Sequence, residues 1–290
     1  MPSWQDFQPF IITGLALGGV YALSGVGMVV LYRATGVLNL AFGAVGAMGA
    51  LIAWEIVNNT TWPDGVAYVV CVLFGGVVTL LYGVLFGPPL AARDPLVKAT
   101  ATLGLALILL GMMSWIWSDK ARSMVLPTTN WSYDLGTVLV NWTQILGLLL
   151  GIVVTIGTGA FLRFTSLGTA MRALANDREI TATLGVPVRR VEAAAWLGSG
   201  LISGAAGLLL SNLVGLDAAT LTFLVISSLA ATLIARLESI TVTLIAGIVV
   251  GLVTALVTPF LSISQYRDMT PFVLATVALL FLVRRDRVVA

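Results

Sequence analysis

Few residues of this sequence are of a kind that does chemistry, and none falls into a catalytic spacing. Histidine is absent, which removes the side chain that titrates near neutrality and most often ligates transition metals. The single cysteine, Cys71, lies inside an apolar run. It has no second thiol to bridge to and no ligand cluster around it, so its role reads as packing. No G-x-x-x-x-G-K-S/T loop is present to cradle phosphates, so the chain is expected to bind no nucleotide, metal or other cofactor and not to be an enzyme. Carboxylates are sparse within the apolar runs: Glu55 and Glu192 stand near run ends and Asp217 in a turn. Intramembrane carboxylates mark proton or ion coupling, so their scarcity weighs against a proton-driven device. Sodium coupling through the carbonyls of broken helices stays open.

The richest polar stretch is 163–190, whose centre runs from Ala175 through Asn176, Asp177, Arg178, Glu179 and Ile180 to Leu184, Gly185, Val186 and Pro187. It reads as a complete short helix. Asn176 can cap the N-terminus with Glu179 three residues on as reciprocal partner. Gly185 suits the left-handed position after the last turn, and Pro187 prevents continuation. One reading is an amphipathic connector held at the headgroups by its arginines. The other is a docking helix for a motor protein.

What carries these residues is very apolar. Of 290 residues, 59% are hydrophobic and 10% charged, with a mean hydropathy of +1.03, against about 25% charged in soluble domains. A bilayer crossing takes about 20 apolar residues, and such runs fall at 10–32, 36–57, 66–87, 96–117, 140–162, 191–214, 221–236, 239–259 and 271–283. The expected fold is therefore all-α: a polytopic transmembrane bundle of eight or nine helices that uses 1–290 as one domain. Asp6, with no Lys or Arg ahead of the first run, is unlike the start of a cleaved signal peptide, so that run is expected to stay as a helix. The short seventh and ninth runs and the glycine-rich second one are those that could be broken or re-entrant rather than simple crossings.

Nine crossings divide the 15 Lys and Arg residues unequally: 12 fall on one side, among them Arg33, Arg93, Lys98 and five between Arg163 and Arg190, and only Lys120, Arg122 and Arg267 on the other. The positive-inside rule then puts the N-terminus outside and the C-terminus in the cytoplasm. Seven tryptophans, Trp4, Trp54, Trp62, Trp115, Trp117, Trp131 and Trp142, fall at the outer boundary, where indole rings prefer the headgroup level. Five GxxxG pairs, Gly14/Gly18, Gly83/Gly87, Gly147/Gly151, Gly200/Gly204 and Gly247/Gly251, are candidates for close helix contact.

Several motifs point further. Tyr21-Ala22-Leu23, Gly25, Gly27 and Tyr32, then Thr35-Gly36-Val37-Leu38-Asn39-Leu40-Ala41 and Gly43, lie near the N-terminus; Thr102-Leu103-Gly104 opens a later helix. Leu167-Gly168, Met171-Arg172-Ala173, Ala175-Asn176-Asp177, Leu184-Gly185-Val186 and Ser203-Gly204-Ala205-Ala206-Gly207 follow. Together these resemble the LivH-like permeases of branched-chain amino acid ABC importers, and the loop resembles their coupling segment. There are departures. Phe42 and Ala44 stand where the family usually has a polar residue and an acid, and 233–243 lacks a Gly-Pro-Gly character.

The resemblance implies a permease working by alternating access in the inner (cytoplasmic) membrane. Its expected partners are a second related permease subunit, two ATP-binding cassette subunits that hold the ATP, and an extracytoplasmic substrate-binding protein, within a lipid bilayer and without nucleic acid. The solute would be a branched-chain amino acid or a similar small polar organic molecule. Tyr21, Asn39, Phe42 and Thr102 are expected on its path, and Asn176, Asp177, Glu179, Leu184 and Gly185 on the coupling helix. The competing reading is a self-sufficient secondary transporter or channel.

Overall fold

The computed structural model describes residues 4–118, 120, 122–134, 138–260 and 264–289. These form α1 (Trp4–Thr35), α2 (Phe42–Asn59), α3 (Asp64–Ala91), α4 (Pro95–Trp117), α5 (Trp142–Phe164), α6 (Ser166–Asn176), α7 (Arg178–Thr183), α8 (Val188–Leu213), α9 (Ala218–Phe223), α10 (Val225–Ile234), α11 (Ile240–Val257) and α12 (Thr270–Val289). The exceptions are two 3₁₀ turns and a small antiparallel hairpin, β1 (Ser132–Asp134) with β2 (Leu139–Asn141), in which Tyr133 faces Val140.

Among the described residues six helices are long and apolar enough to cross a bilayer: α1, α3, α4, α5, α8 and α11. The other three expected spans are helical but fall short. The second begins only at Phe42, because 36–41 is not helical, and it ends in the polar Asn58-Asn59. The run at 221–236 is two shorter helices, α9 and α10, with Leu224 between them, and the apolar run of α12 gives way to Arg284-Arg285.

The chain forms two compact units, with α1 and α5 contributing to both. The first comprises Met1–Val26, Val125–Thr155 and Ile226–Ala290. Here the Gly14/Gly18 face of α1 meets the Gly247/Gly251 face of α11: a methyl at Gly18 would sit 2.7 Å from Ile248 Cα, and one at Gly247 2.6 Å from the Ala22 amide nitrogen. Real Cβ atoms do not approach so closely, so the contact requires glycine. Gly147 and Gly151 of α5 lie against Ala16 and Gly19 of α1 in the same way.

The second unit comprises Gly27–Met124 and Ile156–Val225. Its core is the trio α2, α3 and α8, whose backbones also touch. A methyl at Gly204 would meet the Cys71 carbonyl at 2.6 Å, and one at Gly46 would meet the Ser203 carbonyl at the same distance. Side chains tie the seam further: the Cys71 thiol donates to the Gly204 carbonyl (3.3 Å) and the Thr79 hydroxyl lies 2.9 Å from the Trp196 carbonyl. The remaining GxxxG pair behaves differently, since Gly83 makes room for the Trp196 ring and Gly87 stands at the edge of the same indole.

Candidate functional site

Between α1 and α2 the chain runs for six residues, 36–41, without helix. It starts at Gly36, whose φ of +68° is a left-handed conformation that glycine adopts without strain; its amide closes α1 onto the Tyr32 carbonyl at 2.7 Å. Buried backbone that leaves the helix has to find partners elsewhere. Thr102 on α4 supplies them: its hydroxyl accepts from the Leu40 amide (3.1 Å) and lies 2.9 Å from the Leu38 carbonyl and 2.8 Å from its own Ala99 carbonyl. Thr102 is fully buried with that hydroxyl engaged. Its part is to hold the strap.

Asn39 sits at the centre of this strap, 1% exposed. Its Oδ1 accepts from the Ala41 amide at 3.1 Å, which fixes the carboxamide beside the start of α2, while Nδ2 has no partner. Phe42, the first residue of α2, is buried against Gly27 and Ile202, and its carbonyl accepts from the Ser203 hydroxyl at 2.6 Å. Gly43 then brings α2 against Thr222 and Val225. Asn39, Phe42 and Thr102 are thus brought together. Tyr21, the fourth residue expected with them, is buried in the part of α1 that belongs to the first unit. The expected break lies ahead of α2 rather than within it. Ser199 and Thr222, which the sequence did not single out, belong to this neighbourhood; the one available signal was the four-residue spacing of Ser199 and Ser203 on α8.

The polar loop 163–190 contains two helices where the sequence suggested one. Thr165 caps α6, accepting from the Gly168 amide at 3.0 Å. Asn176 is the last residue of α6 and caps nothing; Asp177 is the cap of α7, accepting from the Ile180 amide at 2.9 Å. The helix is accordingly Arg178–Thr183, shorter than Asn176–Leu184. Leu184 follows as its C-terminal cap, and Gly185, at φ +84°, ends it as expected. Arg178 pairs with Glu192 of α8 at 2.7 Å, and Thr181 is buried. α7 and its C-terminal cap expose two large apolar side chains, Ile180 (60%) and Leu184 (77%), among the exposed Arg178, Glu179 and Thr183.

The two ends of this unit differ in chemistry. At one, Trp117 donates to Glu55 (2.9 Å), the Arg122 guanidinium lies 5.0 Å over the Trp54 ring, and Arg122 bridges to Leu216. The other holds Gly36 near Lys98 and the Arg178–Glu192 pair. Among the described residues no group of three or more His, Cys, Asp or Glu could hold a metal ion.

The sequence profile of the family described as "Branched-chain amino acid transport system / permease component" matches residues 10–282. The chain belongs to this family of transport permeases. As such it is a multi-pass membrane protein of a transport family rather than of an enzyme class. Among curated relatives, the permease is 25% identical over 228 residues to the high-affinity branched-chain amino acid transport system permease protein BraD of Pseudomonas aeruginosa, covering 74% of each chain. It is 25% identical to LivH of Escherichia coli K12, over 72% of each chain. With the probable LivH of Methanocaldococcus jannaschii it shares 27% identity, over 77% of this permease and 73% of the relative.

Proposed function

We propose that this permease is a channel-forming subunit of an ABC importer in the inner membrane. It carries a branched-chain amino acid or a similar small polar solute by alternating access. In this reading 1–290 is one permease domain of eight or nine crossings, with its N-terminus outside and its C-terminus in the cytoplasm. A second related permease, two ATP-binding cassette subunits that hold the ATP, and an external binding protein complete the machine. The path for the solute includes Asn39 and Phe42, positioned by Thr102, with Tyr21 contributing from α1.

The observation that carries the proposal, beside family membership, is the form of α7. A helix with a polar cap at one end and a left-handed glycine at the other, tied to α8 by an ion pair, presents Ile180 and Leu184 to the outside. Exposed apolar side chains in the most arginine-rich loop suit a groove on a soluble partner better than a surface left bare. This loop, including Asn176, Asp177, Glu179, Leu184 and Gly185, is where the ATPase docks.

The test is reconstitution with the partner subunits. Uptake of L-leucine, L-isoleucine or L-valine should require ATP, and Glu179→Lys should weaken both pull-down of the ATPase and substrate-stimulated hydrolysis. Uptake without ATP or partners would establish the self-sufficient transporter instead. Phe42→Ala should change the range of solutes taken up; unchanged uptake and unchanged range would remove Phe42 from the path.

A further inference from the structure

Among the described residues, four buried side-chain polar atoms have no hydrogen-bond partner: Asn39 Nδ2, Tyr68 Oη, Ser199 Oγ and Thr222 Oγ1. Asn39 and Thr222 lie at the start of α2, and Ser199 lies one helical turn from the serine that bonds its first residue. Asn39 is held there by its bond to the Ala41 amide. Thr222 lies across from Gly43, the second residue of the helix. Ser199 is one turn before Ser203 on α8, and Ser203 is the residue that bonds the Phe42 carbonyl. Since Gly46 of α2 also meets Ser203 and Gly207, the two helices advance in parallel. Ser199 therefore stands at the level where the strap enters α2. Buried polar atoms without a protein partner are destabilising, and three around one helix end call for a common partner.

The character of that partner follows from what the site lacks. The first amides of a helix point out of its N-terminus and carry a partial positive charge. Ala41, the N-cap residue, offers no side-chain oxygen to meet them. The Oδ1 of Asn39 is already spent as an acceptor, so the free atom is the donor, Nδ2. Serine and threonine hydroxyls can each donate as well. Lys98, 3.6 Å from where a Cβ on Gly36 would lie, adds a positive charge at the mouth of the strap. The Asn39 donor, the helix-end amides and the Lys98 charge favour an anionic oxygen group over a cation, and the two hydroxyls, which can donate or accept, can turn to donate to it.

We propose that the N-terminus of α2 seats the carboxylate of the transported solute. Asn39 Nδ2 is its principal donor, and the hydroxyls of Ser199 and Thr222 complete the cradle. The inference rests on the transport reading above and names the part of the solute that this site recognises. A discontinuous membrane helix whose N-terminus addresses a substrate carboxylate is a known solution to anion binding away from water. In this conformation the three atoms are covered, so the carboxylate reaches them only as the packing around α2 opens. The solute would then pair groups that the empty protein leaves unpaired.

The test uses the complex of this chain with its partner subunits in nanodiscs, without the binding protein, so that discrimination is read at the permease. Radiolabelled L-leucine is the probe. L-leucinamide, which keeps the side chain and the amine but has no carboxylate, is the competitor. On wild type, a hundredfold excess of L-leucinamide should displace none of the bound L-leucine, whereas unlabelled L-leucine should displace all of it. Asn39→Asp, which sets a carboxylate against the ligand's own, should lower L-leucine affinity at least tenfold; Ser199→Ala should lower it two- to fivefold. Equal competition by L-leucinamide would overturn the assignment, and that arm needs no variant to fold. Wild-type affinity in an assembled Asn39→Asp complex would overturn it too. If either occurs while Phe42→Ala still alters the range of solutes, the path reading survives and only the carboxylate seat falls. If wild type binds neither compound, the proposed solute class and this seat fall together.

Discussion

Replacing Thr102 with valine removes one hydroxyl and keeps the shape of the side chain, which makes it the sharpest probe of the strap. The hydroxyl accepts from the Leu40 amide at 3.1 Å and lies 2.9 Å from the Leu38 carbonyl, so Thr102→Val strands two backbone groups at once. Each buried group left without a partner costs about 1–3 kcal/mol. The bonds are part-buried and valine has no hydroxyl of its own to desolvate, so the lower half of the summed range applies, about 2–4 kcal/mol. The readout is the thermal unfolding midpoint of the purified permease in detergent, alongside L-leucine uptake in the reconstituted complex. Thr102→Val should lower the midpoint and reduce uptake, whereas Thr102→Ser, which restores the hydroxyl, should recover most of both. If valine leaves midpoint and uptake at wild-type values, the hydroxyl does not hold the strap. If serine is as damaging as valine, the methyl group's packing is what matters and the hydrogen-bond account is wrong.

Three further predictions follow from local geometry. Asp177→Ala should destabilise α7 by about 0.5–2 kcal/mol and weaken ATPase pull-down more than Asn176→Ala, which removes no cap; a larger effect at Asn176 would contradict the capping assignment. Arg236 (φ +54°) sits in the left-handed position that closes α10, with its amide on the Leu233 carbonyl and the Leu237 amide on the Thr232 carbonyl; Arg236→Gly should therefore raise the thermal midpoint, by about 1 kcal/mol of stability, and a lower midpoint would show that the arginine side chain outweighs the strain. A single cysteine at Asn130 should be labelled by an impermeant maleimide from outside and one at Thr183 only after permeabilisation; Thr183 is exposed whereas Thr181 is buried, and labelling of the opposite sides would reverse the topology.

The helical character of the chain was legible because runs of about 20 apolar residues have few other uses. Where hydropathy alone was the guide, boundaries failed in a physically specific way. Val37, Leu38 and Leu40 are as apolar as the helix that follows, so 36–41 read as part of it; the partner that satisfies its non-helical backbone is Thr102, 62 residues away from Leu40. Asn176 and Asp177 are adjacent and equally fit to cap, and only the extent of α6 decides between them. The pause at Leu224 between α9 and α10 has no glycine or proline to announce it. By contrast the turn at Gly185 and the role of most GxxxG pairs were readable, because both depend on a missing Cβ and so on residue type itself. Asn39 was recognisable as a polar residue in an apolar stretch. That its donor is left unpaired required knowing where Oδ1 points.

The contact of α2, α3 and α8 through glycines has a consequence for motion. Helices separated by side chains can slide, because rotamers re-sort as ridges pass one another. At Gly46, Gly75, Gly204 and Gly207 there is nothing to re-sort: carbonyls and Cα atoms of one helix rest on those of the next. Displacement along such a seam would drive backbone into backbone, so these three helices are geared together and travel as a single raft. Within this unit, any rearrangement that accompanies transport must be taken up in segments where helix is interrupted, among them the strap at 36–41, the corner at Asp177 and the pause at Leu224.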